Sequence, residues 1–180
     1  MSRVGDCTIR LNRCVNPEPT LEFLAIRLLK GGRKQFVANW SLRTILMCLG
    51  SMAQDATHGC GLRLNHPRAR KLANQWLAEK NLPFTSPLIV AIESPALFTP
   101  LSDFPDSGFG MIRLPLSGIL DVADGIHRLA ALRQMNLSRQ ILARTEWPIE
   151  LIECIGGDDI ARLNLQVRGK EHPRKKPNNR

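Results

Sequence analysis

No Cys-x-x-Cys pair occurs in this chain, and its five cysteines, Cys7, Cys14, Cys48, Cys60 and Cys154, are odd in number. That usage indicates neither a disulfide framework nor a zinc ribbon, and the thiols are expected to be reduced. Cys7 with Cys14, and His58 with Cys60, read either as loose metal ligands or as incidental thiols, and no metal site is assigned. No basic, apolar, small-residue leader opens the sequence, and the longest apolar runs, such as 44–48, are far too short to cross a bilayer. A cytoplasmic protein without a membrane partner is therefore expected.

Acidic residues are the scarcer charge. Sixteen Asp and Glu stand against twenty-five Lys and Arg, which leaves a net charge of +9 and a pI near 10.0. Such a balance points to a polyanionic partner, nucleic acid ahead of a membrane surface, although small basic proteins also carry solvated Lys and Arg. With 180 residues, 43% of them apolar, the chain can bury one ordinary core. We expect one domain over 1–167 and a basic tail over 168–180.

Along the chain, a short strand is expected around Cys7 to Leu11. Leu21, Leu24, Ala25, Leu28 and Leu29 then fall on one helical face behind a Thr20 cap, and Gly31-Gly32 would end that helix. A second helix is expected over Trp40 to Ala53. A third begins at Asn65-His66-Pro67 and runs to Lys80, stopped by Asn81-Leu82-Pro83. Pro87 to Ile92 reads as a strand buried on both faces, and Ser102 to Gly110 as a loop. Further strands are expected over 111–114, 118–123 and 148–153, and a helix starts at Asp158-Asp159. The class is α/β with a mixed sheet.

Asp124-Gly125-Ile126-His127-Arg128 lies where the strand ending at Ala123 meets an apolar helix, Leu129 to Gln134. Read plainly, it is a turn and a cap with a surface imidazole and a solvated guanidinium. Its place at a strand end before a helix N-terminus is, however, where α/β proteins hold anions. Asp124 reads as a helix cap or as a carboxylate that holds a metal or orients water. Gly125 removes a Cβ from a ligand's path. Asp121, three residues earlier, should face the other way, either at a sheet edge or paired with a base. The tail residues Arg168, Lys170, Arg174, Lys175, Lys176 and Arg180 suit contact with DNA phosphates, or solubility alone.

Asp124 to Leu132 resembles the Asp-Gly-Gln-His-Arg box of the DGQHR family, which includes the DndB proteins of DNA phosphorothioation systems and relatives in 7-deazaguanine modification. Arg63-Leu64-Asn65 and the helix after it, the strand from Pro87 to Glu93, and Ile160 to Asn164 resemble further family segments. Together they cover about 60–170, while 1–55, read as helical, matches poorly. Ile126 replaces the family's Gln and Arg162 replaces an acidic residue. The chain resembles the family's N-terminal half, whether as a fragment or as a short relative.

The resemblance implies a ParB/sulfiredoxin-like domain, a small mixed sheet flanked by helices, binding ATP or another nucleotide with Mg2+. Arg128 would pair with phosphate oxygens, His127 would donate to phosphate or relay a proton, and Gly125 and its neighbours would offer amides. His127 and Asp124 would be the catalytic pair of a nucleotide hydrolase, with Arg63, Asn65 and Asn164 as further site residues. Three functions follow as alternatives. The first is an accessory or regulatory factor of DNA modification that works with DNA, nucleotide and other modification proteins. The second is a small-molecule, kinase-like enzyme. The third is a DNA-binding regulator whose box is purely structural.

Overall fold

A computed structural model describes residues 8–10, 18–30, 32–53, 64–79, 86–93, 95–101 and 108–171. It is mixed α+β, as expected. The strands are β1 (Thr8–Arg10), β2 (Thr20–Lys30), β3 (Arg33–Ser41), β4 (Leu88–Glu93), β5 (Leu97–Pro100), β6 (Phe109–Pro115), β7 (Ile119–Asp124) and β8 (Glu146–Cys154). The α-helices are α1 (Leu42–Leu49), α2 (His66–Glu79), α3 (Ile126–Gln134), α4 (Arg139–Arg144) and α5 (Gly156–Glu171). The sheet runs β5-β6-β2-β3-β8-β4-β7, with β1 pairing on β2. All pairs are antiparallel except β4 with β8.

Alternation along the strands sorts side chains to two faces. Phe23, Phe36, Trp40, Val90, Ile112, Trp147 and Ile149 pack under α1, α2 and α3, whose Ile45, Ala73, Trp76 and Leu129 close the larger core. On the opposite face Ala91, Ala123, Ile152 and Cys154 meet Leu163 of α5. Fully buried Trp40 and Trp147 sit opposite each other in the β3–β8 register. Phe23 meets Trp40 edge-on at 5.1 Å and Trp76 meets Trp147 edge-on at 6.2 Å. Contacts of that geometry add about 0.5–1.5 kcal/mol each to the area they bury.

The segment read as a first helix is strand β2. Leu21, Phe23 and Ala25 are buried while Ile26 and Leu28, on the other face, are 49% and 42% exposed, so the burial has a period of two. The five residues on the expected helical face are divided between the two faces of the sheet. Gly32, at φ 77°, turns the chain into β3 with Lys30 opposite Arg33, a hairpin where the sequence suggested a helix end. Trp40 likewise closes β3 and does not open a helix. The helix starts one residue after Ser41, whose Oγ accepts from the Thr44 amide at 3.1 Å. β3, β5 and α4 had not been foreseen.

β7 is an edge strand, which answers for Asp121: its Oδ1 accepts from the Val122 amide at 2.7 Å on the outermost strand of the sheet. Helix α5 is tied at its start by Asp159, which pairs with Arg33 at 2.8 Å and accepts from the Ile155 amide at 3.0 Å. It continues to Glu171, so the backbone of 168–171, read as the start of a tail, is helical. Among the described residues no helix is long and apolar enough to cross a membrane.

Candidate functional site

Strand β7 ends at Asp124, and the chain enters α3 through Gly125 in the left-handed region, φ 95°. The Leu129 amide donates to the Gly125 carbonyl at 2.9 Å, the first bond of the helix. An α-helix leaves its first-turn amides without intrahelical acceptors, here those of Ile126, His127 and Arg128. The cap position is Gly125 itself and has no side-chain cap bond. Asp124 is therefore not the cap, which corrects the first of its two readings. What the absent Cβ of Gly125 makes room for is the protein itself. A Cβ there would overlap Cδ2 of buried Leu88 and stand 3.0 Å from Arg128 Nη2.

Arg128 faces the protein. Its Nη1 donates to the Ser86 carbonyl at 2.7 Å and to Ser86 Oγ at 2.6 Å. Its Nη2 donates to the Pro87 carbonyl at 3.0 Å and to Asp124 Oδ2 at 3.2 Å. The guanidinium lies 5.6 Å from the centre of the Trp147 ring, whose Nε1 donates to the same Ser86 carbonyl at 3.0 Å. A planar fork suits this convergence, since both ends can be satisfied at once. The result is a clamp joining the entrance of β4, the end of β7 and the first turn of α3.

His127 points toward α2. Its Nε2 accepts from the Asn65 amide at 3.1 Å, so that nitrogen carries no proton and the ring proton belongs on Nδ1. Asn65 in turn caps α2, its Oδ1 accepting from the Arg68 amide at 2.9 Å. The N-termini of α2 and α3 thus meet beside a cleft of about 270 Å³ lined by Arg68, Leu72, Ser86, Asp124 and the turn through Arg128.

The structure brings Asp124, Gly125, His127, Arg128 and Asn65 together. Arg63, Arg174, Lys175, Lys176 and Arg180 lie outside the described residues. Asn164, Arg168 and Lys170 belong to α5, across the sheet from the cleft. Sequence reasoning missed Arg68, Ser86 and Trp147. Arg68 is one cation among several on α2, and Ser86 and Trp147 reach the site only through pairing of distant strands, so no local pattern marks them.

Asp124 is already paired with Arg128. Among the described residues no three of His, Cys, Asp and Glu are grouped to hold a metal, and the Cys7, Cys14, His58 and Cys60 candidates fall outside those residues. The cleft's donors fit an anion, not a protein-held Mg2+. Burial pushes the Cys48 thiol up to about 11 and raises Cys154 as well, against the opposing charge of Arg33. At pH 8 the Cys48 thiolate fraction is then on the order of one in a thousand. Iodoacetamide followed by mass spectrometry should label Cys48 about a hundredfold more slowly than a free-cysteine peptide. Equal rates would contradict the burial.

A family model described as DndB, DNA-sulfur modification-associated, matches residues 23–158. The match takes in the β2–β3 hairpin, part of the region that the sequence resemblance left aside, along with the cleft and its clamp. No curated protein and no solved structure matches the chain. Since the family model spans most of the sequence, from β2 to the start of α5, the chain belongs to the DndB family of DNA-sulfur-modification-associated proteins.

Proposed function

We propose that this protein is an accessory or regulatory factor of a DNA phosphorothioation system that holds nucleotide phosphates in the cleft at Asp124–Arg128 and associates with DNA. The observation carrying this reading is the convergence of two helix N-termini on one cleft that also bears Arg68 and His127. Helix N-termini favour anions through their free amides and their dipole, each such interaction contributing about 0.3–1 kcal/mol. A cleft of about 270 Å³ suits the phosphate end of a nucleotide such as ATP or CTP. In this reading the first-turn amides, His127 and Arg68 meet the phosphates, while Arg128 and Asp124 hold the turn in shape. Any Mg2+ would arrive on the phosphates, neutralising their charge.

The tail residues Arg174, Lys175, Lys176 and Arg180, with Arg168 and Lys170 before them on α5, add sequence-independent affinity for DNA phosphates. The cytoplasm, where DNA and other modification proteins are found, is the compartment this role implies.

Calorimetric titration with ATP and CTP tests the reading. Wild type should bind at least one of them, and binding of neither would refute the cleft assignment. Phosphate release, assayed with and without DNA, tests turnover by the same site. If the protein hydrolyses nucleotide, His127→Ala should slow release by about a hundredfold or more, the range for a lost acid–base group. A variant with weaker binding but an unchanged rate at saturation would make His127 a phosphate donor with no part in proton transfer.

A further inference from the structure

Helix α2 carries its charges in an unusual place. Its first two turns hold Arg68, Arg70 and Lys71 and its first turn holds no acid, the reverse of what the helix dipole favours. All three side chains are exposed, and among the described residues none makes an ion pair. The buried stripe Ala69, Ala73 and Trp76 fixes the rotation of the helix. His66, Arg70 and Asn74 are thereby set in one row, with Pro67 and Lys71 in the next. These five residues line a shallow hollow of about 430 Å³. Arg68 stands apart from them and lines the cleft at the α3 turn.

Cations concentrated at the positive end of a helix weaken that helix unless an anion sits against it. Arginine, lysine and asparagine side chains together with a helix N-terminus are the donors that grip a phosphodiester backbone. We propose that this face of α2, centred on Arg70 and Lys71, is the surface on which the folded domain holds the phosphates of duplex DNA. The assignment rests on the reading that the protein associates with DNA, and it differs from the tail in position. α2 covers the large-core face of the sheet and α5, which leads to the tail, covers the other. A duplex held on α2 lies beside the cleft, so the backbone grip and the phosphate site share one side of the molecule. The contacts are to phosphates, so binding is indifferent to base sequence and steeply dependent on salt.

Fluorescence anisotropy with a short duplex, between about 50 and 200 mM salt, tests this in the full chain. The Arg70→Gln/Lys71→Gln double variant should lose at least tenfold in affinity at the lower salt. Its log–log salt slope should flatten by about two, close to one unit for each phosphate contact removed. The exchange Arg70→Lys/Lys71→Arg should keep both affinity and slope. Neither residue lines the cleft, so nucleotide titration of the double variant should match wild type, which separates this surface from the nucleotide site. Deleting 172–180 alone should leave part of the slope in place. The proposal is overturned if the double variant keeps wild-type affinity and slope, or if the tail deletion alone abolishes the salt dependence. A wild type that binds anionic vesicles but no duplex removes DNA association and this surface together, even where nucleotide still binds.

Discussion

Arg128→Ala should cost the protein stability and, under the proposed function, affinity for nucleotide. Four hydrogen bonds converge from that one guanidinium on Ser86, Pro87 and Asp124. Removing it takes the donor from the Pro87 carbonyl and from a partly buried carboxylate, and leaves the Ser86 carbonyl with Trp147 Nε1 alone. Breaking a fully buried ion pair costs about 3–5 kcal/mol. Arg128 and Asp124 are 20% and 31% exposed, so water recovers part of the loss and about 2–4 kcal/mol is expected. Thermal unfolding should move down by roughly 10 °C. With the first turn of α3 no longer fastened to the β4 entrance, affinity for ATP or CTP should fall at least tenfold, about 1.4 kcal/mol. Arg128→Lys should restore little of either, because one ammonium cannot serve both sides of the clamp. An unchanged melting temperature together with unchanged titration would remove Arg128 from the account of the site.

Gly125→Ala is expected to be nearly as damaging, for steric reasons. At φ 95° an L side chain already sits in a costly region, about 1–2 kcal/mol above its usual wells. The added methyl also overlaps the buried Leu88 side chain and crowds Arg128 Nη2. Overpacking of that kind costs about 1–3 kcal/mol. The two together give about 2–5 kcal/mol, measured by denaturant or thermal unfolding. Gly32→Ala is the internal comparison: φ is 77° there, but a Cβ would have nothing within 4 Å, so the backbone cost stands alone at about 1–2 kcal/mol. Similar losses at both positions would mean that the contact with Leu88 and Arg128 is unimportant.

The centre of the site was legible in the sequence because a hydrophobic strand runs directly into Gly125 and an apolar helix, a junction with few structural solutions. β4 was legible as a short apolar run between prolines, β8 by the alternating polarity of Pro148 to Glu153, and α2 by the Asn65 cap and the proline at its start. What misled was β2. Its apolar residues satisfy a helical spacing as well as an alternating one, and only pairing with β3 on one side and β6 on the other decides between them. The role of Arg128 was hidden for a related reason. Its type and position fit a phosphate ligand, but of its acceptors only Asp124 is near in sequence; Ser86 and Pro87 lie some forty residues upstream and the ring beside it is on β8. No local pattern records such contacts.

Sheet order has a further consequence, in the timing of folding. β3 is flanked by β2 and β8, and β4 by β8 and β7, so β8 fills a gap between strands that precede it by many residues. Until it is inserted the sheet is two separate pieces with open edges, a state in which strand edges are prone to mispair. The same strand brings Trp147, which meets both the Arg128 guanidinium and the Ser86 carbonyl. Long-range pairing of this kind makes folding slow. On a growing chain the cleft at the α3 turn cannot take its final form before the closing strand arrives, so the site is a late product of folding and no shorter nascent chain carries it complete.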